Sequence, residues 1–270
     1  MKIDTEKCVG CGNCIPFCTM GVIRIENGLG VVNEEECVEC NTCYRCLDPE
    51  NLKPSFVRGI RKILKKLRLR HDAEHDICPT GALTPPELEW PRSIRSAFSD
   101  PTVTHDSTGV AGRGTEEIKT NDVTGRIGPG EAGVVIDLGR PGTGVFLRDI
   151  NKMTMALAPL KVSFEDHNPL TVLMADAKIG RLKEEVLQEK VLSAIIEMKL
   201  EQSEIISVLK TVETMADELD TVISVGVASR CESDGTIPHE KICRDAGYYL
   251  SLNGKTNLGF GHPVEIEEQK

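Results

Sequence analysis

The N-terminal sequence Cys8-Val-Gly-Cys11-Gly-Asn-Cys14-Ile-Pro-Phe-Cys18 carries four cysteines in a C-x2-C-x2-C-x3-C pattern. A second run, Cys37-Val-Glu-Cys40-Asn-Thr-Cys43, repeats the first three positions, and Cys78 follows much later in the context Cys78-Pro79-Thr80-Gly81-Ala82. Nine of the 11 cysteines precede residue 80. In a reducing compartment, such a dense local set of thiols indicates metal ligation rather than disulfide bonding.

The spacing within the first run suits a polynuclear metal cluster. Three thiolates two residues apart wrap three corners of one cubane only if the loop curls tightly, and Gly10 and Gly12 allow that curl. The two runs resemble the two-[4Fe–4S] ferredoxin domain over residues 1–85. The resemblance implies low-potential, single-electron transfer through two [4Fe–4S] clusters. It assigns one cluster to Cys8, Cys11, Cys14 and Cys78, and the other to Cys18, Cys37, Cys40 and Cys43.

The sequence departs from this family in three places. Thr19 follows Cys18 where the family has proline, residues 44–77 are inserted before Cys78, and Cys46 is surplus. Cys46 is therefore a spare thiol or an alternative to Cys78 as the fourth ligand, although the Cys-Pro-Thr-Gly-Ala context favours Cys78. A zinc ribbon also uses Cys-x2-Cys pairs, but tetrahedral zinc has no need for crossed runs of three plus one.

The inserted segment is strongly basic. Ile60, Ile63, Leu64 and Leu67 recur at helical spacing, which predicts a basic amphipathic helix. We expect a redox partner protein (a ferredoxin, a flavodoxin or a flavoprotein subunit) to dock near helix 58–70. The alternative is a helix packed on its apolar stripe with a solvated basic face. Membrane-surface attachment is disfavoured because the stripe is short. The cations are Arg58, Arg61, Lys62, Lys65, Lys66, Arg68 and Arg70.

The composition excludes several classes of protein. Hydrophobic residues make up 40% and charged residues 27% of the chain, which is typical of a globular protein with a real core. The net charge of −10 argues against a general nucleic-acid binder. No apolar run approaches the ~18 residues that span a bilayer. Residues 1–6 contain no apolar signal core, so a cytoplasmic location is expected.

The chain divides into three parts, and the predicted fold class is α+β. Residues 1–85 hold the ferredoxin-type domain with its helical insertion, 44–77. Residues 86–130 lack clear periodicity and are interpreted as a linker or irregular arm. Residues 131–270 are predicted to form a ferredoxin-like, split βαβ sandwich. Its expected strands are 133–138, 160–165, 171–175 and 221–228, and its expected helices are 145–157, 181–200 and 203–219.

The sequence Gly139-Arg140-Pro141-Gly142-Thr143-Gly144 is a candidate ligand site. It joins a predicted strand to a predicted helix, where glycine lets backbone amides approach an anion. We hypothesise that Arg140, Gly142 and Gly144 bind a small carboxylate, against the alternative of a plain turn. By contrast, Cys231 and Cys243 bracket His239 at a spacing that is weak for metal, so ordinary thiols are expected there.

These patterns predict an iron–sulfur electron-transfer protein or a subunit of a cytoplasmic anaerobic oxidoreductase, and they leave open whether the chain is itself an enzyme. Residues 112–126, with residues 133–158, are also similar to iron–sulfur proteins grouped with 6-hydroxynicotinate reductase. That resemblance implies reduction of an N-heteroaromatic ring, with a flavin supplied by a partner. A redox or ligand sensor with a small-molecule site in its C-terminal part is the remaining alternative.

Overall fold

The N-terminal region is built from short antiparallel pairs. The computed structural model describes residues 1–69, 76–106, 109 and 125–251. Strand β1 (Lys2–Ile3) pairs with β6 (Leu83–Thr84), and β2 (Ile23–Glu26) pairs with β3 (Leu29–Val32). Asn27 and Gly28 join β2 to β3 and both have positive φ, at 50° and 81°, as a tight Asn-Gly hairpin turn requires.

The two ends of the inserted segment lie close together in the N-terminal region, on a pair of adjacent strands. Helix α1 (Thr42–Arg45) contains Cys43, the last cysteine of the second run, and β4 (Asp48–Pro49) then pairs in parallel with β5 (Ile77–Cys78). Helix α2 (Pro54–Lys66) lies between the two paired strands along the chain. The β4–β5 pairing therefore returns Cys78 to the cysteine motifs in spite of the long insertion. Arg70, the last of the predicted cations, lies outside the described residues.

The C-terminal region contains a four-stranded antiparallel sheet. Its strands are β7 (Glu131–Leu138), β9 (Ser163–Phe164), β13 (Ala194–Glu201) and β14 (Ile223–Ser229). The spatial order is β14-β7-β13-β9, with every neighbouring pair antiparallel. Helix α4 (Leu147–Leu157) connects the first two strands, and α6 (Ile205–Ala216) connects the last two. This is the β-α-β-β-α-β element order of a split βαβ arrangement.

One face of the sheet and the two helices enclose the main apolar core. Ile150, Met153 and Leu157 of α4 and Ile205 and Val208 of α6 are fully buried. The alternating strand residues Val134, Ile136, Ile196 and Met198 meet them from the sheet. The opposite face carries a smaller cluster, Ile127, Val135 and Ile195. Because both faces are covered, β7 and β13 are buried along nearly their whole length.

The predicted helix over residues 181–200 is wrong. The structure has β11 (Arg181–Leu182), a 3-10 turn (Glu184–Val186), β12 (Lys190–Val191) and then β13. A strand buried on both faces is apolar at consecutive positions, so its residues also satisfy helical spacing. The expected strand 171–175 is instead α5 (Pro169–Val172) followed by β10 (Met174–Asp176).

Helix α3 (Ser93–Ser99) lies in the segment that was interpreted as a linker. Ile94 and Phe98 of this helix are buried in the C-terminal core, so the first part of the arm packs as regular structure. The remaining elements are β8 (Val145–Phe146), α7 (Pro238–Asp245) and the 3-10 turns Ala158–Leu160 and Gln202–Glu204. Among the described residues, no helix has the length and apolar character needed to cross a membrane.

Candidate metal centre

Four thiols surround a first cavity. Cys8, Cys11 and Cys14 from the first run and Cys78 from the end of the insertion line an empty volume of about 380 Å³. The other wall residues are largely apolar, including Ile3, Val9, Leu47 and Leu83. These are the four cysteines that the sequence grouped as one ligand set.

A second cavity is lined by the other predicted set. Cys18, the last cysteine of the first run, meets Cys37, Cys40 and Cys43 around an empty volume of about 330 Å³. The walls include Met1, Val22, Ile23 and Val32, so this cavity is also mostly apolar. Cys18 and Cys78 each line the cavity to which the resemblance assigns them, Cys78 with the first run and Cys18 with the second.

Backbone amides point at several of these sulfur atoms. The amide of Gly30 donates to Cys8 Sγ at 3.2 Å, and the amide of Val22 donates to Cys18 Sγ at 3.3 Å. The amide of Ala82 donates to Cys78 Sγ at 3.3 Å. Such bonds stabilise negative charge on a metal-bound sulfur and are one of the means by which a protein sets cluster potential.

The thiols of each set also influence one another electrostatically. Burial, reinforced by Cys11, Cys8 and Cys78, raises the pKa of Cys14 to about 12. In the second set, burial together with Cys18, Cys40 and Cys37 raises the pKa of Cys43 to about 12. Cys14 and Cys43, with these raised pKa values, form thiolates only beside a compensating cation, so the donor sets fit a cationic metal core.

The spread of the thiols distinguishes a cluster from a single ion. Among the described residues, no three His, Cys, Asp or Glu side chains converge tightly enough to hold one metal ion. Each set of four thiols instead lines the walls of an open cavity. A tetrahedral zinc site draws its sulfur ligands to ≈2.3 Å from one centre. The observed arrangement fits a polynuclear cluster better than the zinc ribbon alternative.

Gly10 has no room for a side chain. A Cβ atom at this position would lie 2.1 Å from the carbonyl oxygen of Gly28, and its φ is +60°. Gly12 also has a positive φ, +87°. The prediction that both glycines serve the tight curl of the first run is confirmed, and at Gly10 the reason includes the close approach of the β2–β3 turn.

The two candidates for the fourth ligand of the first cavity lie in different environments. Cys78 is partly buried and lines the cavity. Cys46 is exposed and lies at the C-terminal end of α1, where its backbone amide donates to the carbonyl of Thr42. Cys46 lines neither cavity. The geometry therefore favours Cys78 as the ligand and leaves Cys46 as a surface thiol.

Two arginines of helix α2 bind the first cysteine loop, the segment that carries Cys8, Cys11 and Cys14. Arg58 donates to the carbonyls of Glu6 and Cys8 at 2.8 and 2.9 Å. Arg61 donates to the carbonyls of Val9 and Gly10 at 2.7 and 3.2 Å. The alternative of a helix packed on its apolar stripe fails, because Ile60, Ile63 and Leu67 are exposed and only Leu64 of that stripe is partly buried.

Arg95 of α3 connects the second cysteine run to the C-terminal region. Its guanidinium, almost fully buried, donates to the carbonyls of Glu34, Glu35 and Cys37 at 3.2, 2.7 and 2.8 Å. The same group pairs with the Glu189 carboxylate. Arg95 was not identified from the sequence. The only sign of its role there is its position between the core residues Ile94 and Phe98.

Two further polar contacts join the same parts of the chain. Arg45 and Asn41, next to Cys43, donate to the carboxylate of Asp100 at 2.7 and 2.8 Å. Lys190 in β12 pairs with Glu36, next to Cys37. The second cysteine run is therefore held against the C-terminal region by several charged side chains.

The candidate carboxylate loop, residues 139–144, lies against Met20, which is part of the wall of the second cavity. A Cβ on Gly142 would lie 3.4 Å from the carbonyl oxygen of Thr19, and one on Gly144 would lie 2.8 Å from the methyl carbon of Met20, which lines that cavity. Arg140 is exposed. Strand β8 separates the loop from α4, so the loop does not open directly into a helix N-terminus.

The other cysteines lie apart from both cavities. Cys243 is buried in the main core and Cys231 is exposed. His239 accepts or donates a 2.7 Å hydrogen bond to Ser229 Oγ through Nδ1, and burial lowers the pKa of its imidazole. Of the segment similar to 6-hydroxynicotinate reductase proteins, residues 112–124 lie outside the described residues, as do residues 252–270 of the predicted C-terminal sandwich.

Comparison with known proteins agrees with this geometry at the N-terminus. The family model of the 4Fe-4S binding domain matches residues 1–24. The chain carries a 4Fe–4S ferredoxin domain at its N-terminus. The chain is 45% identical over 40 residues to Ferredoxin-1 of Rhodobacter capsulatus, and 40% identical over 40 residues to the ferredoxin-like protein in the vnf region of Azotobacter chroococcum mcd 1.

These similarities cover a limited part of each protein. Both matches span 15% of this chain and 62% of the relative. No solved structure matches the chain. The ferredoxin-type domain thus accounts for the first cysteine motifs, while the sheet that follows is described by its own geometry alone.

Proposed function

We propose that this chain is an electron-transfer protein with two [4Fe–4S] clusters, or the subunit that carries electrons in a cytoplasmic oxidoreductase of an anaerobe. The observation that carries the proposal is the pair of cavities, each lined by three thiols of one cysteine run and a fourth from elsewhere in the chain. The matched 4Fe–4S binding domain and the ferredoxin relatives support the same chemistry. The C-terminal sheet would provide docking, ligand sensing or part of a larger catalytic unit.

The chain's own residues supply binding, charge compensation and exclusion of water. Cys8, Cys11, Cys14 and Cys78 would hold one cluster, and Cys18, Cys37, Cys40 and Cys43 the other. When bound, such clusters accept and release single electrons. The amides of Gly30, Val22 and Ala82 donate to ligand sulfurs, and the apolar walls limit access of solvent. Both features adjust the potential at which an electron is held.

The direct test is the metal content of the protein. Anaerobically reconstituted chain should bind about eight iron and eight sulfide, and its reduced EPR spectrum should show two interacting centres. About four iron would refute the second cluster, and stoichiometric zinc would refute both. Quadruple alanine substitution of the second set (Cys18, Cys37, Cys40 and Cys43) should leave about four iron in the first.

A second candidate function is reduction of a small carboxylate such as 6-hydroxynicotinate. The observation that favours it is the position of the Arg140–Gly144 loop against Thr19 and Met20, next to the second cavity. A carboxylate bound by exposed Arg140 would then lie close to an electron source, with a flavin supplied by a partner where one is needed. Calorimetric titration of the full chain with 6-hydroxynicotinate tests this, and Arg140→Ala should abolish the heat. No binding by the native chain would reject it.

A further inference from the structure

The outer side of α2 carries a continuous apolar stripe. Phe56, Ile60, Ile63 and Leu67 are 59, 38, 58 and 63% exposed. Their spacing of i, i+4, i+7 and i+11 puts them on one side of the helix, over a length of about 16 Å. Large exposed apolar patches on a protein surface mark interaction sites, and this stripe has the anchor spacing of a helix that lies in a groove.

Helix α2 also carries exposed positive charge. It contains no acidic residue, and its lysines, Lys62, Lys65 and Lys66, are all exposed. At about 100° per residue, Lys66 lies nearest the stripe, Lys62 lies farther round the helix, and Lys65 lies on the side of the arginines. Arg58 and Arg61 donate to carbonyls of the first cysteine loop, so the helix has an inner side that contacts the loop and an apolar outer side with cations at its flank.

We propose that α2 is the docking element for the redox partner, and that the partner presents an apolar groove rimmed by carboxylates. The docking proposal rests on the proposed electron-transfer function and specifies the surface chemistry of the protein with which the chain exchanges electrons. Because Arg58 and Arg61 of α2 contact the carbonyls of Cys8 and Val9, a protein seated on the stripe is separated from the first cysteine loop by one helix diameter, roughly 10 Å. Carboxylates at the rim of the groove complement Lys62 and Lys66.

Two other occupants fit the charges less well. An anionic bilayer would attract the lysines but would also face a chain whose net charge is −10. A second copy, paired stripe to stripe about a two-fold axis, would bring two sets of lysines together at the same interface. An acidic groove in a different protein meets the helix without either repulsion.

The test uses the cluster-loaded chain and two acidic electron donors, a reduced flavodoxin and a reduced ferredoxin, in stopped-flow kinetics. In each transfer the donor is oxidised by one electron and the chain is reduced by one. Ile63→Ser/Leu67→Ser should raise the half-saturating concentration of at least one donor about tenfold, at low and high salt alike. Replacing Lys62, Lys65 and Lys66 by Gln should slow association several-fold at low salt only.

Controls separate this surface from general effects on the protein. Met155→Ser removes another exposed apolar side chain, from α4, and should leave both kinetic parameters unchanged. Reduction of every variant by dithionite, followed by EPR, reports whether the clusters are present. Absence of clusters would reject the electron-transfer function itself, whereas normal clusters with altered kinetics isolate the docking step.

Several outcomes would overturn the docking proposal while leaving the electron-transfer function intact. One is that neither donor reduces the chain. Another form of it is that both donors reduce the chain and Ile63→Ser/Leu67→Ser leaves the half-saturating donor concentration unchanged. Another is stripe-dependent co-sedimentation with phosphatidylglycerol vesicles, which would assign the stripe to a membrane surface. A third is a dimer in analytical ultracentrifugation that Ile63→Ser/Leu67→Ser dissociates, which would assign it to a second copy.

Discussion

Replacing Arg95 by methionine should destabilise the contact between the second cysteine run and the C-terminal region. The change leaves the buried Glu189 carboxylate unpaired and removes the donor from three backbone carbonyls, those of Glu34, Glu35 and Cys37. Removing one partner of a buried ion pair costs about 3–5 kcal/mol. At about 2–4 °C per kcal/mol for a chain of this size, the apparent melting temperature should fall by about 6–20 °C.

Scanning calorimetry of the anaerobic, cluster-loaded protein measures the change, and hydrogen exchange of segments 34–37 and 187–190 shows where it occurs. Arg24→Met is the matched control, because the Arg24–Glu26 pair is exposed and contributes at most about 1 kcal/mol. The double variant Arg95→Met/Glu189→Leu should recover a large part of the loss, since no unpaired charge remains. A melting temperature within about 2 °C of the Arg24→Met value would refute the reasoning.

Three further changes test other parts of the structure. Cys46→Ala should keep the full iron content, whereas Cys78→Ala should lose or convert the cluster that Cys8 also binds; the reverse result, by iron analysis and EPR, would make Cys46 the ligand. Gly10→Ala should lower cluster occupancy and melting temperature, because its Cβ would lie 2.1 Å from the Gly28 oxygen at a φ of +60°; a native-like melting curve would contradict this. Burial lowers the pKa of His239, so the imidazole contributes stability that is present above its unfolded value of ≈6.5 and lost as the pH falls through the lower folded value. His239→Gln should therefore flatten melting temperature against pH between about 5 and 7, while the exposed His167→Gln should not.

The grouping of the thiols could be predicted because it depends on local spacing. Three cysteines two residues apart must curl around one centre, and the fourth, three residues later, points away from it. Cys78 was harder to place, since 34 inserted residues separate it from Cys43. The β4–β5 pairing that brings it back involves two residues in each strand, which is too short to leave a pattern in the sequence.

Local sequence pattern identified some elements of the C-terminal region and assigned others wrongly. Helix α6 has a buried and an exposed side, and its periodicity identified it. Strand β13 is covered on both sides, so Ile195, Ile196 and Met198 gave no alternation and were assigned to a helix. The polar contacts of Arg95 and Lys190 join residues 58 to 154 positions apart, and local sequence carries no signal for such pairs.

The orientation of α2 could not be predicted from its own sequence, and the reason lies in the cysteine loop. A loop that curls around a cluster turns its amides toward sulfur and leaves carbonyls, such as those of Cys8 and Val9, without partners in a helix or sheet. Arg58 and Arg61 supply the missing donors. Satisfying these carbonyls turns Arg58 and Arg61 inward and the apolar stripe outward. The same requirement of the metal centre that places α2 beside the first thiol set thus also creates the exposed surface through which we propose that electrons arrive.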